Sequence, residues 1–297
     1  MSPLAVDLFC GLGGWTEGLL AEGYDVIGFD IERHQYGEHR YPAQLVVQDV
    51  LTLHGSQFRN AALIVASPPC QAYSYRAMPW KRAKALPPPD NTLFEACFRI
   101  QREANEANGC DPKGYCIECD GTGNFYRHDE DGDFLECDEC RATGRKRYIP
   151  LIVENVRGAQ KWVGRARWSY GSFYLWGDVP ALMPITIRGL AVKAPGMNRS
   201  DQTKRGQDFT RLAGQHAMGL KNAGPKWDPV TKSGAYGMKR WTNPDEGIKC
   251  GGDWFGPGVK SEMRNHHSGS TSHKAASAMI AKIPLPLSRH IAATFRS

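Results

Sequence analysis

Short apolar runs that alternate with helical patterns constrain the fold of this 297-residue chain more than any other feature. Two segments, Trp15–Ala21 and Asn91–Asn105, have helical spacing of apolar residues. The runs with the length and composition of buried strands are Leu4–Phe9, Tyr24–Asp30, Leu45–Val47, Leu63–Ala66 and Leu151–Glu154. Strands that alternate with helices imply a parallel sheet covered on both faces. The sequence therefore predicts the α/β class, with a doubly wound, mostly parallel sheet.

Composition excludes several classes of protein. The chain is 41% hydrophobic and 23% charged, and no stretch approaches the roughly 20 apolar residues that span a bilayer. Its N-terminus enters a strand pattern without a basic, apolar signal segment. Nine cysteines are an odd number, and four of them lie in two CxxC pairs, which favours metal and catalytic thiols over a disulfide framework. We expect a cytoplasmic protein with no membrane contact.

Charge is distributed unevenly along the chain. The segment Ile185–Ala275 contains 15 Lys/Arg against 7 Asp/Glu, and it holds Trp227, Tyr236, Trp241 and Trp254. Basic residues mixed with aromatic ones suit phosphate contacts and stacking on nucleotides, although loops of this kind also cover cores. Cys110–Arg147 has the opposite sign, with 10 Asp/Glu against 6 Lys/Arg. Two segments of opposite sign are not expected to share one partner.

A glycine-rich turn follows the first predicted strand, in the sequence DLFCGLGG from Asp7 to Gly14. A turn without Cβ atoms lets a ligand lie against the backbone. Asp30 ends the second strand and Asp49 follows the third, where acids can meet the ribose and the adenine of a nucleoside. Because GLGG lacks the third glycine of GxGxxG, we expect a small adenosine ligand and not a dinucleotide.

A cysteine and a glutamate follow two further strands. Cys70 lies in ASPPCQAYS after two prolines, and Glu154 lies in VENV. Open α/β sheets carry their chemistry at the carboxyl ends of the strands. A thiol presented there on a Pro-Pro loop is interpreted as a nucleophile, although a buried structural cysteine is the commoner case.

In these motifs, the sequence resembles the DNA (cytosine-5) methyltransferases of phage and bacterial type. DLFCGLGG resembles their cofactor motif, PPCQ their nucleophile motif and ENV their base-binding motif, while AKIPLPLSRHIA at Ala281–Ala292 resembles their final motif. The resemblance covers residues 4–108, 150–178 and 274–297. It implies a Rossmann-like fold that uses S-adenosylmethionine, and double-stranded DNA from which a cytosine is flipped.

The resemblance also implies roles for individual residues. Cys70 attacks C6 of cytosine, Glu154 holds and protonates N3, and Asn155 supports the loop. Gln71 belongs to the same catalytic set. So do Arg165 and Arg167, which stand where the family carries QxRxR, although the glutamine of that motif is absent here. An equally good account is that they are simply two exposed arginines on a helix. The implied cofactor contacts are Phe9, Gly11, Gly13, Gly14, Asp30, Ile31, Asp49, Val50 and Pro68.

Four cysteines in the acidic segment have the spacing of a zinc site. Cys116-x2-Cys119-x17-Cys137-x2-Cys140 suits four thiolates around one structural Zn²⁺. The repeated CxxCxxTG resembles the zinc repeats of J-domain chaperones. Cys110 and His128 are alternative ligands, and reactive or disulfide-linked cysteines remain a second interpretation. We expect the insert to project from the edge of the sheet opposite the cleft, where it offers a surface to a protein partner.

These observations predict a division of the chain and a function. Catalytic segments at residues 1–109 and 148–178 flank the zinc-binding insert at 110–147. An irregular target-recognition region follows at 179–273, and residues 274–297 return to the catalytic domain. We expect a monomeric DNA cytosine-5 methyltransferase connected with restriction–modification or phage DNA. A tRNA cytosine-5 methyltransferase and a non-catalytic DNA-binding regulator are the alternatives.

Overall fold

The computed structural model describes residues 2–36, 38–77, 83, 85–128, 134–183, 278 and 281–296. The basic segment Ile185–Ala275 lies outside these residues, and the predicted target-recognition region lies outside them almost entirely. The strands are β1 (Leu4–Leu8), β2 (Asp25–Asp30), β3 (Gln35–Tyr36), β4 (His39–Arg40), β5 (Gln44–Val47), β6 (Leu63–Ala66), β7 (Asn124–His128), β8 (Phe134–Glu136), β9 (Leu151–Asn155), β10 (Trp168–Tyr170) and β11 (Phe173–Gly177). The α-helices are α1 (Gly14–Ala21), α2 (Gln71–Arg76), α3 (Thr92–Ala107), α4 (Gln160–Val163) and α5 (Leu285–Phe295).

Seven of the strands form one sheet in the order β10-β11-β9-β6-β1-β2-β5. The pairs β1–β2, β2–β5, β1–β6 and β6–β9 are parallel, whereas β11 runs antiparallel to both β9 and β10. The predicted mostly parallel sheet is therefore confirmed. The β10–β11 hairpin was not predicted, although its two-residue link at Gly171 and Ser172 joins two runs of strand-forming residues.

Both faces of the sheet are buried, as a doubly wound fold requires. Successive residues of β6 alternate between two cores: Ile64 and Ala66 pack on the α3 side, and Leu63 and Val65 pack on the side of α1 and α5. All four residues of β6 are buried, which explains why this strand is apolar throughout instead of alternating with polar residues.

Helix α5 returns the chain to its first helix. Lys282 Nζ lies 2.5 Å from Glu17 Oε1, and Arg289 Nε lies 2.7 Å from Glu22 Oε1. Gly18 of α1 allows this close approach, because a Cβ atom there would overlap the backbone of Ser288 and Arg289. The segment that contains the final predicted motif therefore packs beside the glycine-rich turn.

The cysteine-containing insert is anchored at the amino ends of the strands. Arg147 Nη2 donates to the carbonyl of Asn60 at 2.9 Å, and Asn108 Nδ2 donates to that of Arg59 at 3.0 Å, just before β6 begins. Buried Asn105 of α3 accepts from Ile149 N at 2.8 Å. The base of the insert thus lies opposite the carboxyl ends of β6 and β9, where the sequence analysis expected it.

No α-helix in the described part of the chain is long and apolar enough to cross a membrane.

Candidate active site and four-cysteine cluster

The carboxyl ends of β1, β2, β5, β6 and β9 bring the predicted cofactor contacts, Cys70 and Glu154 to one edge of the sheet. After β1, the chain turns through positive φ at Phe9 (56°), Gly11 (51°) and Gly13 (77°). Asp30 ends β2 and accepts a hydrogen bond from Gly11 N at 2.9 Å. This bond ties the turn to the neighbouring strand, so Asp30 shapes the turn as well as standing beside it.

The three predicted glycines have different surroundings. A Cβ at Gly13 would meet the ring of Pro42, and one at Gly14 would meet the backbone of Ile283. Beside Gly11, no atom lies within 4 Å of the position that a Cβ would occupy. Gly13 and Gly14 are therefore required by packing within the protein, and Gly11 leaves space in which a ligand can lie.

Predicted cofactor contacts after β2 and β5 also differ in exposure. Ile31, directly after Asp30, is a large apolar side chain that is 70% exposed. Asp49 Oδ1 accepts from Leu51 N at 2.9 Å and caps the short 3-10 turn Val50–Thr52. The side chain of Val50 is buried in the core on the α3 side of the sheet.

The Asp30 carboxylate is held in its ionised form by its neighbours. Burial alone would raise the pKa of Asp30, but hydrogen bonds from His34 and from the Gly11 amide hold this pKa below its usual value. The same contact, His34 Nε2 to Asp30 Oδ1 at 3.4 Å, raises the pKa of His34. His34 was not predicted as a site residue, and its only sequence signal is its place four residues after Asp30.

Asp7 is a second acid near the turn, and no role was predicted for it. Thr16 Oγ1 donates to Asp7 Oδ2 at 2.6 Å and lies 2.7 Å from the Tyr41 hydroxyl. Asp7 Oδ1 is buried without a hydrogen-bond partner among the described residues. Burial raises the pKa of Asp7 to about 7. An aspartate inside an otherwise apolar strand was the available signal.

Cys70 and Glu154 are placed on adjacent parallel strands. Cys70 is half-buried and immediately precedes α2, and Gln71 is the exposed first residue of that helix. Glu154 is buried at the end of β9, whose residue Val153 pairs with Ala66 of β6. The structure therefore brings the predicted nucleophile and the predicted carboxylate to the same part of the edge.

Two side chains hold the loop that carries Cys70. Asn155, which is fully buried, donates from Nδ2 to the carbonyl of Pro68 at 2.9 Å. From the other side, Trp15 Nε1 donates to Ser67 Oγ at 3.0 Å. The Asn155 bond joins the end of β9 to this loop. The Trp15 contact was not predicted, because it joins elements 52 residues apart.

Arg165 and Arg167 are exposed and lie in the loop between α4 and β10. Describing them as helix arginines was wrong, because α4 ends at Val163 and Gly164 then adopts a φ of +89°. Backbone N–H of Arg167 donates to the Leu175 carbonyl at 2.9 Å, so this part of the loop already follows the edge of the β10–β11 hairpin.

The four predicted metal ligands form a compact, buried cluster. The Sγ atoms of Cys116, Cys119, Cys137 and Cys140 all lie within 4.8 Å of one another. The Cys116–Cys137 and Cys119–Cys140 sulfur pairs are 3.9 and 3.7 Å apart, too far for disulfide bonds. Zn–S bonds of about 2.3 Å in a tetrahedron place sulfurs about 3.8 Å apart, so the spacing fits one Zn²⁺.

Backbone amides around the cluster reinforce this fit. Gly123 N donates to Cys119 Sγ and Gly144 N donates to Cys140 Sγ, both at 3.3 Å. Such bonds offset negative charge on thiolates, and the two repeats make them in the same way. The Cys110 sulfur is not part of the cluster, and it donates to the Asn105 carbonyl at 3.4 Å. The His128 side chain lies outside what the structure describes.

Comparisons with known proteins relate the first part of the chain to a family. Residues 4–108, which are 105 of the 297, match the family model described as C-5 cytosine-specific DNA methylase. No curated protein matches the chain. The matched residues include the glycine-rich turn, Asp30, Asp49 and Cys70.

Several solved structures are similar at low identity. A candidate DNA modification methyltransferase encoded within an E. coli prophage is 19% identical, with a TM-score of 0.28, over 53% of this chain and 33% of that one. S. pombe Dnmt2 methyltransferase is 13% identical, with a TM-score of 0.30, over 55% and 37%. The Entamoeba histolytica methyltransferase EhMeth is 11% identical, with a TM-score of 0.35, over 98% and 97%.

The chain covers about a third of the length of the first two of these structures. Its own strand order, with parallel strands followed by an antiparallel β11, is that of an S-adenosylmethionine-dependent methyltransferase fold. Residues 4–108 are therefore similar to the C-5 cytosine-specific DNA methylases.

Proposed function

We propose that this protein transfers a methyl group from S-adenosylmethionine to C5 of a flipped cytosine in DNA, through a covalent adduct with Cys70. The observation that carries the proposal is the placement of Cys70 and Glu154 at the carboxyl ends of adjacent parallel strands. The Asn155 amide supports it, because its bond to Pro68 fixes the nucleophile loop to the strand that carries the carboxyl group.

The residue types suit the reaction. Cytosine C5 is a poor nucleophile, so the sulfur of Cys70 adds to C6 while Glu154 holds N3 and gives it a proton. Electron density then collects at C5. When bound, S-adenosylmethionine supplies the electrophilic methyl group that C5 accepts. A base then removes the C5 proton, the Cys70 sulfur leaves C6 as a thiolate, and N3 returns its proton to Glu154, which restores the aromatic ring.

The glycine-rich turn has the features that a nucleoside cofactor needs. Gly11 leaves open space beside its Cα, Ile31 offers an exposed apolar surface, and ionised Asp30 stands between them. We assign Asp30 to the ribose hydroxyls and Asp49 to the adenine amino group, with Ile31 against the base. Asp30 would keep its bond from Gly11 N through one oxygen and accept from the ribose through the other.

The four-cysteine cluster is assigned to one structural Zn²⁺. Its buried sulfurs have tetrahedral spacing, and the insert has few other apolar residues with which to build a core. The ion would hold the two CxxC turns together at a distance from Cys70, and it takes no part in methyl transfer.

Trapping on a fluorinated substrate tests the function. We expect the protein to form a stable complex with duplex DNA that contains 5-fluorocytosine, because fluorine cannot leave as a cation after methylation and the thioether persists. Cys70→Ala should abolish both the complex and methylation. Cys97→Ala, which alters a buried cysteine in α3, is the matched control and should leave the adduct in place wherever the protein folds.

Bisulfite sequencing of DNA from cells that express the protein then identifies the modified base. Methylated cytosine that persists in the Cys70→Ala variant would contradict the mechanism. If an adduct forms with tRNA and none forms with duplex DNA, the substrate is tRNA and the proposed reaction mechanism still holds. Cofactor binding without methylation of either nucleic acid would favour the regulator.

A further inference from the structure

The segment that follows β9 carries an unbalanced positive charge. Residues 155–177 contain four Lys/Arg and no Asp/Glu. We call these four residues, Arg157, Lys161, Arg165 and Arg167, the basic rim. All four are exposed, and within the described part of the chain none has a carboxylate within ion-pair distance.

Several other basic side chains in the described part of the chain are paired with a carboxylate. Lys146 Nζ lies 2.7 Å from Glu139, Arg289 Nε lies 2.7 Å from Glu22, and Arg99 Nη1 lies 2.9 Å from Glu103. Surfaces that serve only solubility usually intersperse charges of both signs. Four unpaired cations in eleven residues instead leave a local field that favours a polyanion.

The loop that bears the rim is held in place by hydrogen bonds. Gln160 Oε1 accepts from Ala166 N at 3.2 Å, and Trp176 Nε1 donates to the Gly164 carbonyl at 3.0 Å. With the Arg167 N–H bond to β11, three contacts fix the backbone between Gly164 and Arg167. A fixed backbone lowers the entropy that a charged partner must remove on binding.

One end of the rim lies next to the segment that carries the nucleophile. Its first residue belongs to the 3-10 turn Arg157–Ala159, which packs on α2 directly after Cys70. Gly158 makes this possible, because a Cβ there would meet the carbonyl of Tyr73 at 2.9 Å. Lys161 Nζ lies 4.4 Å from the centre of the Trp162 ring, which supports the ammonium group without neutralising it.

We infer that the basic rim contacts the phosphates of duplex DNA on either side of the flipped cytosine. The inference rests on the proposed function, because a base that reaches Cys70 brings its own backbone to the edge from which the rim projects. Duplex DNA carries one charge per about 1.7 Å of axis, so several phosphates meet a rim of this length. Exposure of Arg165 and Arg167 favours this backbone role over a place inside the base pocket.

Salt dependence of binding by the full-length protein tests the rim. A short, fluorescently labelled duplex of mixed sequence is titrated at several KCl concentrations, and the logarithm of the association constant is plotted against that of the salt. The double variant Arg157→Gln, Lys161→Gln should lower the slope by about 2, since each phosphate contact contributes about 0.9. Arg165→Gln with Arg167→Gln should have a similar effect.

A matched double variant removes the same amount of positive charge outside the rim. Lys146→Gln with Arg289→Gln alters two basic residues that are already paired, away from Cys70, and should leave the slope unchanged. An unchanged slope in the rim variants, or an equal change in the matched pair, would overturn the inference. A loss confined to tRNA, with duplex binding unaffected, would overturn the assignment to DNA.

The same titrations separate the rim from the proposed function. Cys70→Ala should keep the wild-type slope, because it changes the nucleophile and no phosphate contact. If the protein is trapped and methylates DNA normally, but the rim variants have an unchanged slope, only the assignment of the rim to phosphate contacts is wrong. If the rim variants lower the slope but the protein methylates no nucleic acid, the phosphate contacts stand and the proposed enzymatic function is wrong.

Discussion

Asp7 shows how the surroundings of one residue decide its chemistry. It lies in β1 beneath the glycine-rich turn, where one oxygen accepts from Thr16 and the other is buried without a described partner. A buried polar atom without a partner costs about 1–3 kcal/mol. A protonated carboxyl group in this position needs no counter-ion, which is why burial raises its pKa.

Replacing Asp7 by Asn should change how stability depends on pH. The pKa rises from 3.8 to about 7 on folding, so the folded state holds the proton more tightly than the unfolded state does. The contribution of Asp7 is therefore present below pH 4 and is lost as pH rises to about 7. We expect the difference in unfolding free energy between wild type and Asp7→Asn to fall over that range, measured by urea denaturation.

Asp25→Asn serves as the control for this measurement, because Asp25 is exposed on β2. A difference for Asp7→Asn that does not change between pH 4 and pH 7 would show that Asp7 is ionised throughout, with an ion or a hydrogen-bond donor at its second oxygen.

At the scale of elements, the central strands were predictable and the connections between them were not. β1 and β6 agree with prediction to within one residue, because strands buried on both faces are apolar runs of fixed length. Cys70 and Glu154 could be assigned to one edge, since parallel strands end together. The Trp15–Ser67 bond and the Thr16–Asp7 bond depend on how α1 is rotated against the sheet, which no local pattern specifies.

The contact between α1 and α5 should be sensitive to a single methyl group. In Gly18→Ala, the added Cβ would overlap Ser288 and force α5 outward. Overpacking costs about 1–3 kcal/mol, which exceeds the gain of about 1 kcal/mol in helix propensity from Gly to Ala. We expect a lower Tm in thermal denaturation, whereas Ala21→Ser, at an exposed position of the same helix, should change it little.

At the scale of the whole molecule, the predicted catalytic residues and the base of the four-cysteine insert lie at opposite edges of the sheet. Cys70 and Glu154 stand at the carboxyl ends of β6 and β9, and the insert is anchored at their amino ends through Asn108 and Arg147. Four thiolates around one Zn²⁺ add about two negative charges to an insert that already carries an excess of acids. Such a surface suits a protein partner better than a phosphate backbone.

Loss of the metal should therefore change stability and not sequence preference. Cys116→Ser with Cys119→Ser should reduce zinc from one ion per chain to none, measured by elemental analysis, and lower the Tm. The methylated sequence, read by bisulfite sequencing, should stay the same wherever folded protein survives. Cys110→Ser, which changes a buried cysteine outside the cluster, should retain the ion. A changed target sequence would connect the insert to DNA.

The packing of α5 on α1 has a consequence for how the protein folds during synthesis. Glu17 and Lys282 are 265 residues apart, and the apolar face of α1, with Trp15 and Leu19, is completed only by Ile283, Leu287 and Ile291. At translation rates of about 5–20 residues per second, that face remains uncovered for roughly 15 to 50 s. Contacts of such long sequence separation also slow folding. The nascent chain therefore exposes an aggregation-prone surface beside its cofactor turn until α5 has left the ribosome.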